Sequence, residues 1–188
     1  MMNPPQLIIL DLDGTLASLQ VDWESLRNEI KDFYPSNQHP DTESLTQLID
    51  EADPAKRNKI IDLVASYETK SAQEAPLNTA LLQWLEKYPQ AHLGILTLNS
   101  RFAAQAVARR CQIQERIIRI IGREDDIQKK PQPHGLLAIA QTSGTSVHNC
   151  LMIGDSDSDQ QAAHAAGVDY CDVRVIGTDW NKGKVFSA

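Results

Sequence analysis

Short apolar runs alternate along this chain with stretches whose apolar residues recur at helical spacing. Such runs are typical of strands that are buried on both faces of a parallel sheet. The predicted strands are Leu7–Leu10, His92–Leu96, Ile117–Ile121, residues 151–153 and residues 171–175. The stretches between them predict helices with apolar faces made by Leu81, Leu82 and Leu85; Phe102, Ala103, Ala106 and Val107; Leu136, Leu137 and Ala140; and Ala162, Ala163 and Ala166. This alternation predicts an α/β fold with a doubly wound, Rossmann-like parallel sheet, in which ligands bind beyond the carboxyl ends of the strands.

One long segment, residues 17–76, breaks the alternation because it contains no good strand candidate. Its apolar residues instead recur at helical spacing in two groups, which are Trp23, Leu26, Ile30 and Phe33, and Ile60, Ile61, Leu63, Val64 and Tyr67. Asp53 followed by Pro54 has the form of a helix N-cap with proline at the first helical position. Residues 35–40 form a polar break between the helices, and Trp23 is expected in the core.

An ordinary crossover helix requires far fewer residues than this segment contains. We therefore predict a small, all-helical cap domain at residues 17–76, inserted into an α/β core domain formed by residues 1–16 and 77–188. The insert begins directly after the first strand and its acidic end. It is expected to form a lid over those carboxylates.

Polar residues follow four of the predicted strands, at the edge where the sheet would open into its ligand crevice. They are Asp11-Leu12-Asp13-Gly14-Thr15 after the first strand, Thr97 after the second, Lys130 and Pro131 after the third, and Gly154-Asp155 through Asp159 after the fourth. Carboxylates at the end of a buried strand lose hydration free energy unless a cation or a reaction compensates. These positions therefore predict a functional site.

In their order, these motifs resemble those of the haloacid dehalogenase superfamily of aspartate-nucleophile phosphohydrolases, and the resemblance covers most of the chain. The helical insert after the first motif resembles the C1 type of cap in that superfamily. The resemblance implies that Asp11 is the nucleophile, that Asp13 is the general acid and base, and that Thr97, Leu98 and Lys130 bind phosphate. Lys130 is chosen over its neighbour Lys129 because the proline that follows it matches the family pattern.

Elementary chemistry is consistent with these roles. A carboxylate such as Asp11 can attack phosphorus and form an acyl phosphate, which divides one difficult displacement into two easier ones. Asp13, two residues further on, could face the same opening and protonate a leaving alcohol. Gly14 would allow a sharp exit from the strand and keep side-chain bulk away from the phosphate.

The acidic residues also predict a metal. Asp11, Asp155 and a phosphate dianion could not gather without a hard cation, and Mg²⁺ fits because it is commonly held by one or two carboxylates together with phosphate. The resemblance adds the backbone carbonyl of Asp13 as a ligand. Lys130 would supply a further positive charge. Asp159, one helical turn past Asp155, could orient Lys130 or a metal-bound water.

Two arginines are weaker candidates for contacts to an anionic substrate. Arg101 follows the predicted second strand near the rim of the pocket. Arg27 lies on the first helix of the insert, where a solvated or ion-paired side chain is the alternative interpretation.

Composition narrows the functional classes. The chain has 18 Lys and Arg against 25 Asp and Glu, a net charge of −7, so nucleic acid is not an expected partner. A membrane is not expected either, for lack of an apolar span. Its three cysteines include no Cys-x-x-Cys pair, and no run approaches the ~20 apolar residues of a membrane span. The beginning of the chain lacks the basic and apolar pattern of an export signal, so a cytoplasmic location is expected.

The predicted function is therefore a Mg²⁺-dependent phosphatase that acts on a small phosphorylated metabolite, with phosphoglycolate phosphatase as the nearest family analogy. A phosphomutase that uses the same aspartyl phosphate stays open as an alternative. A protein that keeps the fold for binding or regulation without turnover is a second alternative. A dehalogenase is disfavoured because its chemistry does not require the carboxylate of Asp13. The oligomeric state is not predicted.

Overall fold

The structure is a computed structural model that describes residues 4–34 and 45–176. Five strands form one parallel sheet in the order β3-β2-β1-β4-β5. Their bounds are Leu7–Leu10 (β1), His92–Leu96 (β2), Ile117–Ile121 (β3), Cys150–Gly154 (β4) and Asp169–Asp172 (β5). The predicted fold class is confirmed. Because β1 is central, the residues that follow β1, β2 and β4 emerge side by side at one edge of the sheet.

Helices cover both faces of this sheet. The described helices are Trp23–Lys31 (α1), Leu45–Glu51 (α2), Pro54–Glu74 (α3), Thr79–Leu85 (α4), Arg101–Arg110 (α5), His134–Ser143 (α6) and Asp157–Ala166 (α7). Successive residues of a strand point to opposite faces. Accordingly, Ile8 and Leu10 pack in one apolar cluster with α4 and α5, whereas Leu7 and Ile9 pack in another with α6 and α7. Among the described residues, no helix has the length and hydrophobicity that a membrane crossing requires.

The inserted helices have an apolar cluster of their own, in which α1, α2 and α3 meet. Its fully buried members include Leu26, Ile60 and Val64. As predicted, Asp53 caps α3, because its Oδ1 accepts from the backbone N–H of Lys56 at 3.1 Å, and Pro54 is the first helical residue. The predicted polar break at 35–40 lies outside the described residues, and the division into two domains stays a prediction.

The helix α3 is long enough to serve both clusters. Its first half packs in the insert, whereas Ala72 near its end and the adjacent Ala75 belong to the cluster of the sheet. The side chain of Arg110 on α5 donates to the backbone carbonyls of both alanines at 2.8 Å. Any movement of the inserted helices therefore involves an element that is fastened to the core.

Local details differ from the prediction at several positions. Trp23 is 36% exposed rather than core, because it is the first residue of α1 and the residues that pack inward from this helix are Leu26 and Ile30. The predicted strand 171–175 ends at Asp172, since that carboxylate accepts from the backbone N–H of Arg174 at 2.9 Å and turns the chain into a short 3₁₀ helix.

Two predicted helix faces are also rotated slightly. Phe102 is 60% exposed and Leu137 is 41% exposed, although both were predicted to face the core. The helix α5 packs instead through a denser face that includes Ala104 and Ala108, and α6 packs through Leu136 and Ile139.

The two adjacent leucines of α6 provide a matched test of this packing. Leu136→Ala is expected to lower the free energy of unfolding by about 2–5 kcal/mol, because it leaves a cavity against the sheet. Leu137→Ala removes a mostly solvated side chain and is expected to cost less than about 1 kcal/mol. Urea unfolding of both variants measures the difference, and equal losses would contradict the described orientation of α6.

Candidate active site

The carboxyl ends of β1, β2 and β4 bring three of the predicted site residues to one edge of the sheet. The hydrogen-bond ladder continues one residue past the strands, since the N–H of Asp11 donates to Ile153 O at 2.9 Å and the N–H of Thr97 donates to Ile121 O at 3.0 Å. The backbone under both side chains is therefore held rigidly. Asp155 follows β4 directly, beside Asp11.

Lys130 lies between two carboxylates. Its Nζ is 2.8 Å from Oδ1 of Asp11 and 2.5 Å from Oδ1 of Asp159, and only 2% of the side chain is exposed. The neighbouring Lys129 instead donates to the carbonyls of Gly122 and Asp125, which fastens the loop after β3. The structure thus brings Lys130, and not Lys129, to the predicted site.

Burial and charge act against each other in this group. Burial raises the pKa of Asp11 to about 6, although the ammonium of Lys130 lowers it. Burial alone would lower the pKa of Lys130, but the negative charges of Asp11 and Asp159 outweigh it and raise the pKa. The ion pair therefore exists in an environment where each charge depends on the other.

Asp155 is held against the loop that leaves β1. The hydroxyl of Thr15 donates to its Oδ1 at 3.3 Å. Gly14 has φ = +79°, and a Cβ at this position would lie 2.7 Å from Cγ of Asp155 and overlap its Oδ2. Only glycine allows both this backbone conformation and this close approach. Glycine is thus required here by the approach of Asp155, whereas the predicted role of Gly14 beside the phosphate stays a prediction.

Three carboxylates form a candidate metal group. Asp11, Asp155 and Asp159 each offer one oxygen, and these oxygens lie within 4.8 Å of one another. Three ionised carboxylates and the ammonium of Lys130 together carry a net charge of −2, which a divalent cation would balance. The oxygens of Asp159 are already engaged, one by Lys130 and one by the backbone N–H of Ser156. Asp11 and Asp155 are therefore the better candidates for metal ligands, whereas Asp159 is bound to Lys130.

Asp13 faces a different set of contacts. Its Oδ1 accepts from the backbone N–H of Leu19 at 2.7 Å, and its side chain is not a member of the carboxylate group above. Burial raises the pKa of Asp13, and the nearby charge of Asp155 raises it further. A raised pKa favours the protonated carboxyl that a general acid requires.

Thr97 is buried and bound to its own loop. Its hydroxyl donates to Oδ1 of Asn99 at 3.0 Å and accepts from the backbone N–H of Asn99 at 3.0 Å. The side chain of Leu98 is 45% exposed and apolar. Leu98 could thus bind phosphate only through its backbone.

The structure does not bring Arg101 to the carboxylates. Its guanidinium pairs with Asp125 at 2.6 Å, and its backbone N–H donates to Glu124. Arg27 is half-buried on α1. Its predicted contact to a substrate stays a prediction.

Sequence reasoning missed one acidic residue beside the site. Glu68 on α3 is fully buried, and its carboxylate accepts from Arg123, from the side chain of Asn99 and from the backbone N–H of Ser100. A signal was available, since Glu68 lies four residues after Val64 and four before Ala72, on the buried face of the helix. A charged residue on such a face indicates a specific partner.

Comparisons with known proteins bear on the family and the fold. Residues 8–173 match the family model of haloacid dehalogenase-like hydrolases. The chain is 26% identical over 181 residues to a phosphoglycolate phosphatase of Xanthomonas campestris, covering 89% of this chain and 82% of the relative. It is 24% identical over 184 residues to a fructose-1-phosphate phosphatase of Escherichia coli, covering 90% and 96%. The crystal structure of CbbY from Rhodobacter sphaeroides, in complex with xylulose 1,5-bisphosphate, has the same fold, with a TM-score of 0.63 and 18% identity over 88% of this chain and 84% of that one.

Gly14 offers a test of the carboxylate group. Gly14→Ala is expected to weaken binding of a divalent cation at least about tenfold, because the added Cβ displaces the Asp155 carboxylate by more than a metal site tolerates. Gly144→Ala is the matched control, since Gly144 also has positive φ, at +67°, but has nothing within 4 Å of an added Cβ. Calorimetric titration with Mg²⁺ and Mn²⁺ measures both variants. Equal affinities in the two would contradict the described packing of Asp155 on Gly14.

Proposed function

Because this chain belongs to the haloacid dehalogenase-like hydrolase family, we propose that it is a Mg²⁺-dependent phosphomonoesterase that acts on a small phosphorylated metabolite through an aspartyl phosphate. The observation that carries the proposal is the buried group of Asp11, Lys130 and Asp159 beside Asp155. A fold used only for binding has no need for such a concentration of charge. The names of the relatives supply the reaction class, since they are phosphatases.

In the first half of the proposed reaction, an oxygen of Asp11 attacks the phosphorus of the substrate. The bond between phosphorus and the substrate's ester oxygen breaks as the new bond forms, and Asp13 gives its proton to the leaving oxygen. Lys130 keeps its hydrogen bond to the other oxygen of Asp11, so the attacking carboxylate stays oriented. The raised pKa of Asp13 supports its role as the acid.

In the second half, water attacks the phosphorus of the aspartyl phosphate. Asp13, now ionised, takes a proton from that water, and the bond between Asp11 and phosphorus breaks. Inorganic phosphate leaves, and both carboxylates return to their starting states. Net hydrolysis follows because water, rather than a second hydroxyl of a sugar phosphate, is the acceptor.

Asp11 and Asp155 are the residues proposed to hold Mg²⁺, and the family resemblance adds the backbone carbonyl of Asp13. Mg²⁺ supplies charge neutralisation for the phosphoryl oxygens when it is bound. The excess of negative charge in the carboxylate group supports a divalent cation. Thr97 and Lys130 are proposed to hold the phosphoryl group by donating hydrogen bonds.

The nucleophile is tested most directly by Asp11→Asn. This change removes the attacking carboxylate while keeping its size, and it is expected to lower kcat for p-nitrophenyl phosphate at least about a thousandfold. Asp62→Asn, which neutralises an exposed carboxylate on α3, is the control and is expected to keep full activity. EDTA is expected to abolish turnover, and added Mg²⁺ to restore it.

The possible outcomes separate the candidate functions. Turnover that is metal-independent, or that survives in Asp11→Asn, would contradict the proposal. Absence of turnover on every phosphoester, including phosphoglycolate and fructose 1-phosphate, would favour a binding or regulatory protein. Exchange of phosphate between two positions of a sugar phosphate without phosphate release would show a mutase.

The role of Asp13 is tested by varying the leaving group. For Asp13→Asn, kcat/KM is expected to fall about 10²–10⁴-fold with an alkyl phosphate, whose alkoxide must be protonated as it leaves. The loss is expected to be much smaller with p-nitrophenyl phosphate, since the nitro group stabilises the phenolate. The parameter kcat/KM is used because it reports only the steps up to the first irreversible phosphoryl transfer. Equal losses on both substrates would rule out proton donation by Asp13.

A further inference from the structure

The buried carboxylate of Glu68 accepts four hydrogen bonds, which come from three different residues. The guanidinium of Arg123 donates to the two oxygens of Glu68 at 2.7 and 3.0 Å. The side-chain nitrogen of Asn99 donates to the same carboxylate at 3.1 Å, and the backbone N–H of Ser100 donates to it at 2.7 Å. The donors come from two loops, one after β2 and one after β3, whereas Glu68 itself comes from α3. The carboxylate therefore joins three separate parts of the chain.

The charge of Glu68 determines how Asn99 is oriented. An ionised carboxylate only accepts hydrogen bonds, so the amide of Asn99 must turn its nitrogen toward Glu68. Its oxygen then faces Thr97 and accepts from that hydroxyl at 3.0 Å. The backbone N–H of Asn99 also holds the hydroxyl oxygen of Thr97. A continuous chain of hydrogen bonds thus runs from Glu68 through Asn99 to Thr97.

We propose that Glu68 is a positioning residue for phosphate binding, which holds Thr97 at the phosphoryl group through Asn99 and ties the inserted helices to that loop. This inference rests on the proposed function, in which Thr97 binds phosphate. A hydroxyl has one proton and two lone pairs. When substrate arrives, the Thr97 proton turns from Asn99 Oδ1 to a phosphoryl oxygen. The bond from the Asn99 side chain to Glu68 then keeps the loop in place, and with it the backbone N–H that fixes the Thr97 oxygen.

Glu68 connects the loop at residues 97–100 to the inserted helices because it lies on α3. The residues Ile60 and Val64, on the same face of α3, belong to the cluster that α3 forms with α1 and α2. A displacement of the insert along α3 would therefore pull on the loop at residues 97–100. Arg123 balances the charge of Glu68, so the carboxylate needs no metal or substrate as a counter-charge.

The first test is Glu68→Gln with Glu74→Gln as the matched control. Glu74 is an exposed glutamate on the same helix, and its loss is expected to leave kcat/KM unchanged. The glutamine that replaces Glu68 has one amide oxygen in place of two carboxylate oxygens, so the loop at residues 97–100 would lose either the bond from Asn99 or the bond from Ser100. We expect kcat/KM for p-nitrophenyl phosphate to fall about tenfold to a hundredfold, and the inhibition constant of inorganic phosphate to rise in parallel.

A second variant is needed because Glu68→Gln leaves the half-buried guanidinium of Arg123 without a counter-charge, which destabilises the fold. Asn99→Ala breaks the same chain of hydrogen bonds and leaves the Arg123 pair intact. If Glu68 acts through Asn99, kcat/KM of the double variant falls no further than that of the more impaired single variant, to within about threefold. Independent effects would instead multiply the two losses. Independent, multiplying losses would overturn the proposal, as would wild-type phosphate inhibition in folded Asn99→Ala.

A crystal structure of Glu68→Gln, or of Asn99→Ala if the first does not fold, separates this inference from the proposed function. We expect the hydroxyl of Thr97 to leave its described position, whether or not the wild-type protein hydrolyses phosphoesters. An unchanged Thr97 position would refute the positioning role even in an active phosphatase. If the wild type and Asp11→Asn show the same turnover, the proposed phosphatase activity is refuted instead. The position of Thr97 in the variant crystal structure then decides the inference by itself.

Discussion

Three carboxylates crowd around one buried ammonium at the carboxyl edge of the sheet, and this arrangement constrains the surrounding structure. Asp11 and Asp155 come from adjacent parallel strands, so the sheet itself forces them together. Asp159 is turned inward by the first turn of α7, where it forms a capping box with Ser156. Lys130 reaches in from the loop after β3 and contacts two of the three. Without that ammonium the repulsion between the carboxylates would be uncompensated.

Two glycines show how closely the backbone packs on these groups. Gly14 lies against the carboxylate of Asp155, and a Cβ at Gly154 would lie 2.5 Å from Cγ and Oδ2 of Asp159. The motifs therefore carry glycine and aspartate together for a steric reason as well as a chemical one. The glycines allow the chain to approach the carboxylates, and the carboxylates accept hydrogen bonds from the chain.

The sequence was informative where a periodic rule applied. Apolar runs predicted β1 to β4, whereas β5 shares only Cys171 and Asp172 with the strand predicted at 171–175. The common edge of parallel strands predicted that Asp11, Thr97 and Asp155 would follow neighbouring strands at one edge. It failed where a single contact decides the outcome. The end of β5 depends on one hydrogen bond at Asp172, and the exposure of Leu137 depends on a rotation of α6 that spacing alone does not define.

Glu68 shows a third kind of difficulty, because its position was readable but its partner was not. The helical spacing places it on the buried face of α3, yet Arg123 and Asn99 lie in distant loops whose approach only the fold determines. Charge balance then separates the two buried networks. The group around Lys130 keeps two negative charges that a cation can balance, whereas Arg123 neutralises Glu68 and the four donors satisfy its carboxylate. The first network has the unsatisfied charge that a reaction can use, and the second has the closed set of contacts that holds a loop in place.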